Sequence, residues 1–370
     1  MLLGTTSATA AQNGRESAAT ALSAAETGDL TQAAQGYLQL RADAVTVKHT
    51  GVRRFSQMAA TQSMIARTDE EMAELEEKGE RYENVDGGYT KAEVDVTVNG
   101  VERAGDNATL NITEDGRLYM PFTAEQIANG APEYEEYSLP HTLKFTLDST
   151  GSWLLAGDKA EIGSGPIPST QLGEPEALDD GGGVPEEDEG GKGSTSSATE
   201  ASGSSVKVTA SYSYSKMIDY ANKYWKNPNK DDYRTYGNDC TNFVSQIMKA
   251  GGWQIVGPTY ASLRKQNTKW FYTIFVDRTS FTWAGAENWY WFATKHSKRT
   301  KILSNVYQME PSDVLQADWD RNGNINHTMF VTKKYNGVPY LTYHTTNTHN
   351  KSFKKIYADH RNAWWYAHRT

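Results

Sequence analysis

The chain has little that could cross-link it or embed it. Cys240 is the sole cysteine in 370 residues, so no internal disulfide can form. No apolar run reaches the about 18 residues that a membrane-spanning helix needs. Basic residues are in deficit: 37 Lys and Arg face 46 Asp and Glu, a net charge of −9. That balance argues against a nucleic-acid partner. The first residues lack the basic and fully apolar regions of an export signal, although Ala8-Thr9-Ala10 has the small-x-small form of its cleavage end. Residues 1–26 therefore read as a truncated signal or a disordered tail, and the protein as secreted. An exported chain with one unpaired thiol needs a reason to keep it.

What is present divides into segments. In residues 27–157, Thr27 or Asp29 can cap a helix carrying Leu30, Ala34, Tyr37, Leu38 and Ala42 at helical spacing. A second helix is expected near Met64–Leu75. The period then changes to two: Val94, Val96 and Val98, then Leu110 and Ile112, then Leu143, Phe145 and Leu147, then Trp153-Leu154-Leu155. Asn99-Gly100 and Asp115-Gly116 read as turns. Helices followed by an antiparallel meander predict an α+β accessory domain, and their order resembles the cone-shaped nuclear-transport-factor-like fold. No clustered histidines or paired acids suggest chemistry there. Residues 158–206 are dominated by Gly, Ser, Pro, Glu and Asp. Such a stretch buries too little apolar surface to offset its ordering entropy and reads as an acidic spacer.

Residues 207–370 carry the candidate chemistry. In Asn238-Asp239-Cys240-Thr241-Asn242-Phe243-Val244, a helix is expected to start at the cysteine. Asn238 and Asp239 are cap residues, Phe243, Val244, Ile247 and Met248 form one apolar face, and Gly251-Gly252 is the stop. The dipole and open N–H groups of a helix N-terminus favour a thiolate, which suits a nucleophile. A small buried hydrophobe is the bland alternative.

Tyr220-Ala221-Asn222-Lys223-Tyr224-Trp225, Asn227-Pro228-Asn229, the Cys240 stretch and Ala250-Gly251-Gly252 resemble the start of the bacterial putative amidase domain, over roughly residues 212–370. That family is similar to the papain-like NlpC-type and CHAP cysteine hydrolases. The resemblance implies an α+β fold in which a cysteine-bearing helix packs on an antiparallel sheet. It also implies amide hydrolysis, with peptidoglycan or peptides as substrates.

A cysteine nucleophile needs a base and a group to orient that base. His327 lies in Ile325-Asn326-His327-Thr328-Met329-Phe330-Val331, and His344 in Tyr340-Leu341-Thr342-Tyr343-His344, with the hairpin signal Asn336-Gly337 between them. If Tyr335 pairs with Val338 and no bulge intervenes, His327 and His344 share a face and Asn347 points away. The resemblance implies His327 as general base and places the third polar member near His344. Asn347 is kept in reserve. The Cys240 N–H is the expected oxyanion donor, and Asp239 either caps the helix or meets substrate amines.

Two other features are less specific. Asp318-Trp319-Asp320-Arg321-Asn322-Gly323 begins like a calcium loop, with Asp318, Asp320 and Asn322 as the ligand positions, but its twelfth position is Met329 rather than a bidentate Glu. A polar turn leading into the His327 strand fits better, and neither metal nor cofactor is expected. The aromatics, Trp270, Trp283, Trp289, Trp291 and Trp365 among them, fill a core or stack on glycans. Against the hydrolase stands a binding protein that keeps the fold without turnover.

Overall fold

The computed structural model describes residues 22–47, 58–177 and 212–370. The start of the chain and most of the expected spacer lie outside those residues. Helix α1 (Ala24–Ala44) starts earlier than its spacing suggests. Ser23 caps it: the Ser23 hydroxyl accepts from the Glu26 N–H, and the Glu26 carboxylate accepts from the Ser23 N–H. Helix α2 (Gln62–Asp86) runs well past Leu75 to a left-handed Gly87, the usual device for ending a helix.

The meander forms as β1 (Lys91–Ala104), β2 (Asn107–Tyr119), β3 (Tyr134–Leu147) and β4 (Trp153–Ala160), with α3 (Ala124–Ala128) between β2 and β3. Two expected turns are corrected. Asn99-Gly100 is a bulge inside β1, where the register shifts between Val98 and Gly100, and the chain reverses at Gly105-Asp106 instead. Asp115-Gly116 lies within β2. Gly116 is needed there because a Cβ would fall 2.1 Å from the Tyr137 ring.

The second half contributes α4 (Tyr214–Tyr224), α5 (Cys240–Ala250), α6 (Phe281–Ala284), α7 (Ala286–Trp291), β5 (Lys301–Ile302), β6 (Val314–Asp318), β7 (His327–Tyr335), β8 (Val338–Tyr343), β9 (Asn347–Ser352), α8 (Phe353–Asp359) and β10 (Trp364–Arg369). Its strands are antiparallel and order as β9-β8-β7-β6-β10-β5. Successive β7 side chains alternate between two cores. Phe330 packs with Phe243, Val244 and Ile247 of α5. Met329 and Val331 pack with Leu341, Tyr343 and Trp365 on the opposite face.

The two halves share one sheet. β3 pairs with β9 through Glu136–His349, Tyr137–Thr348 and Ser138–Asn347, giving a mixed α+β arrangement with ten strands among the described residues. No helix among the described residues is long and apolar enough to cross a membrane. The spacer expected from residue 158 onwards is also corrected. β4 extends to Ala160, and residues 164–171 are buried. The composition misleads because polar groups hold this segment. Lys351 Nζ donates to the Ile167 carbonyl, and Lys78 Nζ to the carbonyls of Pro168 and Gln171. Ser169 Oγ donates to Glu135, and Thr170 Oγ1 to the Tyr137 hydroxyl.

Candidate active site

Cys240 is the first residue of α5, with Phe243, Val244, Ile247 and Met248 all buried beneath it. Asp239 sits at the cap position, but its carboxylate makes no capping bond. Oδ1 accepts from the Tyr236 N–H and the Asn242 side chain, and Oδ2 from His344 Nδ1 at 2.7 Å. The Asp239 N–H donates to Thr345 Oγ1. Thr345 and Thr346 hold φ of 62° and 72°. A left-handed conformation is costly for a β-branched residue, so strain is stored beside the cysteine.

The thiol and the His327 ring are linked by a short polar chain. Cys240 Sγ donates to Asn238 Oδ1 at 3.4 Å. The same oxygen accepts from Ser164 Oγ at 2.7 Å, and Ser164 Oγ lies 3.4 Å from His327 Nδ1. A second tie fixes the helix to the strand: Thr241 and Thr328, each next to a candidate catalytic residue, hydrogen-bond through their hydroxyls at 2.9 Å. Cys240 and His327 are each 0% exposed. Burial pushes the His327 imidazole down to about 3, so the ring is neutral in this closed state. Its Nε2 is buried without a hydrogen-bond partner, and the ring packs beside Trp319 and Tyr343.

His344 does not orient His327. Both of its ring nitrogens face other acceptors, Asp239 Oδ2 and the Tyr224 carbonyl, and its ring stacks on Phe243 with centroids 3.8 Å apart. The β7–β8 hairpin begins as expected, with Tyr335 opposite Val338 and left-handed Asn336-Gly337 at the turn. A bulge at Thr332 then shifts the register, so that Val331 faces Leu341 and Phe330 faces Thr342. That one-residue slip moves His344 to the α5 face. Asn347, the reserve third member, is in the seam between the two halves. It pairs with Ser138 and donates to the Lys226 carbonyl.

The loop after β6 closes on itself. Asp318 Oδ2 accepts from the Gly323 N–H, Asn322 Oδ1 from the Asn324 N–H, and Asp320 Oδ2 from the Asn322 side chain. Asp318 Oδ1 is buried without a partner. Among the described residues, no trio of His, Cys, Asp or Glu groups to hold a metal. The tryptophans are core. Trp270, Trp283, Trp289 and Trp365 are fully buried.

Some contributors leave no signal in the sequence pattern: Ser164 and Thr345 in the site, and a buried cluster in the first half. There His141 lies between Asp158 at 2.8 Å and Glu114 at 2.9 Å. Burial opposes its charge, but the two carboxylates prevail and lift it to about 9. The three residues are far apart in sequence and meet only across β2, β3 and β4.

A groove of about 680 Å³ opens beside Asp239, the residue before the thiol. Its walls come from β2 and β3, from residues 161–163 and from the loop before α5, and Asp239, His344 and Thr345 form part of its lining.

Comparison with known proteins adds a family match over part of the chain. Residues 211–367 match the family described as "Putative amidase domain". "Uncharacterized protein YhbB" of Bacillus subtilis (strain 168) is 32% identical over 123 residues, 32% of this chain and 37% of that protein. "Uncharacterized protein YjcM" of the same organism is 29% identical over 162 residues, 40% of this chain and 36% of that protein. The chain thus spans little more than a third of the length of these relatives. A solved structure, "Ntf2 like protein involved in plasmid conjugation", aligns over 88% of this chain and 97% of its own, at 10% identity and a TM-score of 0.21. A score that low carries no argument.

Proposed function

We propose that this protein is a cysteine-dependent amide hydrolase, secreted and acting on peptidoglycan or peptides, with Cys240 as nucleophile and His327 as base. The observation that carries the reading is the shared Asn238 oxygen. It accepts from the thiol and from Ser164, whose hydroxyl lies beside His327 Nδ1. The match of residues 211–367 to the amidase family supports it.

His327 takes the thiol proton as sulfur attacks the amide carbonyl. The carbonyl oxygen takes up the negative charge and meets the Cys240 N–H at the head of α5. As the C–N bond breaks, the imidazolium returns its proton to the leaving amine, and a thioester remains on Cys240. Water, deprotonated by His327, then releases the acid and regenerates the thiol. Asp239 and His344 act differently: their hydrogen bond fixes the first turn of α5, and Asp239 presents a carboxylate to substrate amines in the groove.

A second reading, a cell-wall or ligand-binding protein that keeps the fold, is favoured by the unpartnered His327 Nε2. Incubation with purified cell walls and a peptide panel, followed by mass spectrometry of new termini, separates the two. New amine and carboxyl ends that vanish with Cys240→Ala support the hydrolase. Retention on cell walls with no new ends supports binding.

A further inference from the structure

We infer that residues 162–166 are a built-in plug that keeps the Cys240–His327 pair latent, and that the neighbouring groove becomes continuous with the pair when the plug lifts. The inference rests on the hydrolase reading for its functional meaning, but the occlusion itself is geometric.

The segment is fastened on both sides of the site. Upstream, β4 holds it through Ala160 opposite His141, and the Glu161 N–H donates to the Pro140 carbonyl. Downstream, Lys351 and Lys78 hold the carbonyls of Ile167, Pro168 and Gln171. Between these anchors the chain crosses His327 and Asn238, the partner of the Cys240 thiol. Ser164 Oγ occupies the space beside His327 Nδ1 and donates to Asn238 Oδ1. The Ser164 carbonyl accepts from Trp319 Nε1 at 2.7 Å.

The fit is close enough to demand glycine on either side of Ser164. A Cβ at residue 163 would fall 2.4 Å from Thr345 Cγ2. One at residue 165 would fall 2.1 Å from the Thr345 carbonyl oxygen and 3.3 Å from His327 Cε1. Both glycines therefore permit contact that no other residue could make without displacing the segment. The polar atoms that a substrate would need are also the ones the plug uses. His327 Nδ1 faces the plug's own hydroxyl.

The groove reaches the plug: Ile162 and Gly163 line it together with Asp239, His344 and Thr345. Lifting Gly163-Ser164-Gly165 would therefore extend an existing cleft by a few residues' width rather than create a new one. The charged anchors at 167–171 need not break for this, since the crossing segment is separate from them.

The test reads access to the thiol rather than turnover. Iodoacetamide labelling of Cys240 is followed by intact mass in the full chain, in Gly165→Val and in Ser164→Ala, each checked by circular dichroism for retained fold. The expected result is slow labelling of the wild type and labelling faster by about tenfold or more in the variants, because local opening becomes easier. If Gly165→Val does not fold, Trp319→Phe removes the bond to the Ser164 carbonyl and serves in its place. Wild-type labelling as fast as in the folded variants overturns the plug. So does slow labelling in every folded variant, which would mean that another part of the molecule covers the thiol. Fast labelling in the variants without hydrolysis of any substrate leaves the plug standing and removes the hydrolase.

Discussion

His327 and His344 lie on opposite faces of the β7–β8 hairpin. His327 packs edge-on against Tyr343, whereas His344 stacks on Phe243 of α5. The extra residue at Thr332 separates them. Two residues that alternation would have made partners therefore serve different parts of the site.

The division predicts different phenotypes. Cys240→Ala, Cys240→Ser and His327→Ala should each remain folded and lose turnover by roughly 10⁴-fold or more, since nucleophile and base act as a unit. Asn347→Ala should change turnover little, because that side chain bonds the Lys226 carbonyl in the seam. Steady-state kinetics on whichever amide substrate the mass spectrometry identifies checks both. Full activity in Cys240→Ala would remove the nucleophile assignment.

His344→Ala should act on stability first. It removes the hydrogen bond to the buried Asp239 Oδ2, a loss of about 1–3 kcal/mol. Urea unfolding of His344→Ala against wild type measures it. A variant as stable as wild type but inactive would return His344 to the catalytic group.

The bulge should itself be costly to disturb. Thr332 Oγ1 is within hydrogen-bond reach of the Tyr340 carbonyl, Thr342 Oγ1 and Asn350 Oδ1. Thr332→Val strands these buried groups and should destabilise by about 1–3 kcal/mol. Denaturant midpoints read the effect, and a neutral substitution would show that other contacts fix the register.

Two buried histidines should set opposite limbs of the stability profile. His141 is raised to about 9 from an unfolded value near 6.5, so it binds its proton more tightly when folded. Its contribution is fully present below about pH 6.5 and is lost as pH rises through about 9. His327 is lowered to about 3, so its contribution is present above about pH 6.5 and is lost as pH falls toward 3. Thermal melts across pH should show His141→Asn flattening the alkaline limb and His327→Gln the acid limb. Unchanged limbs would count against both assignments.

Limited proteolysis should cut first within residues 178–206, where Gly, Ser and acidic residues dominate. The two fragments should then stay together on size exclusion, held by the β3–β9 pairing and by Lys351 and Lys78 on the plug's anchor. Early cleavage at residues 161–172, or separation of the fragments, would contradict that seam.

Local chemistry was legible in the sequence. The helix headed by Cys240, the strand carrying His327, the Asn336-Gly337 turn and the buried tryptophans follow from spacing, capping and turn preference, which act over a few neighbouring residues. The tertiary structure decided what depends on distant partners. A bulge is set by side chains from β8 and β9 gripping Thr332, so alternation alone placed His344 on the wrong face. Residues 161–171 look like spacer because their composition cannot build a core, yet lysines, glutamate and tyrosine from both halves supply the bonds that fasten them. His141, Glu114 and Asp158 are separated by strands and become a cluster only when those strands pair. The sequence thus determined the residues able to do chemistry. Long-range hydrogen bonding decided that Ser164, from the segment that reads as spacer, bonds Asn238 beside Cys240 and lies next to the His327 ring.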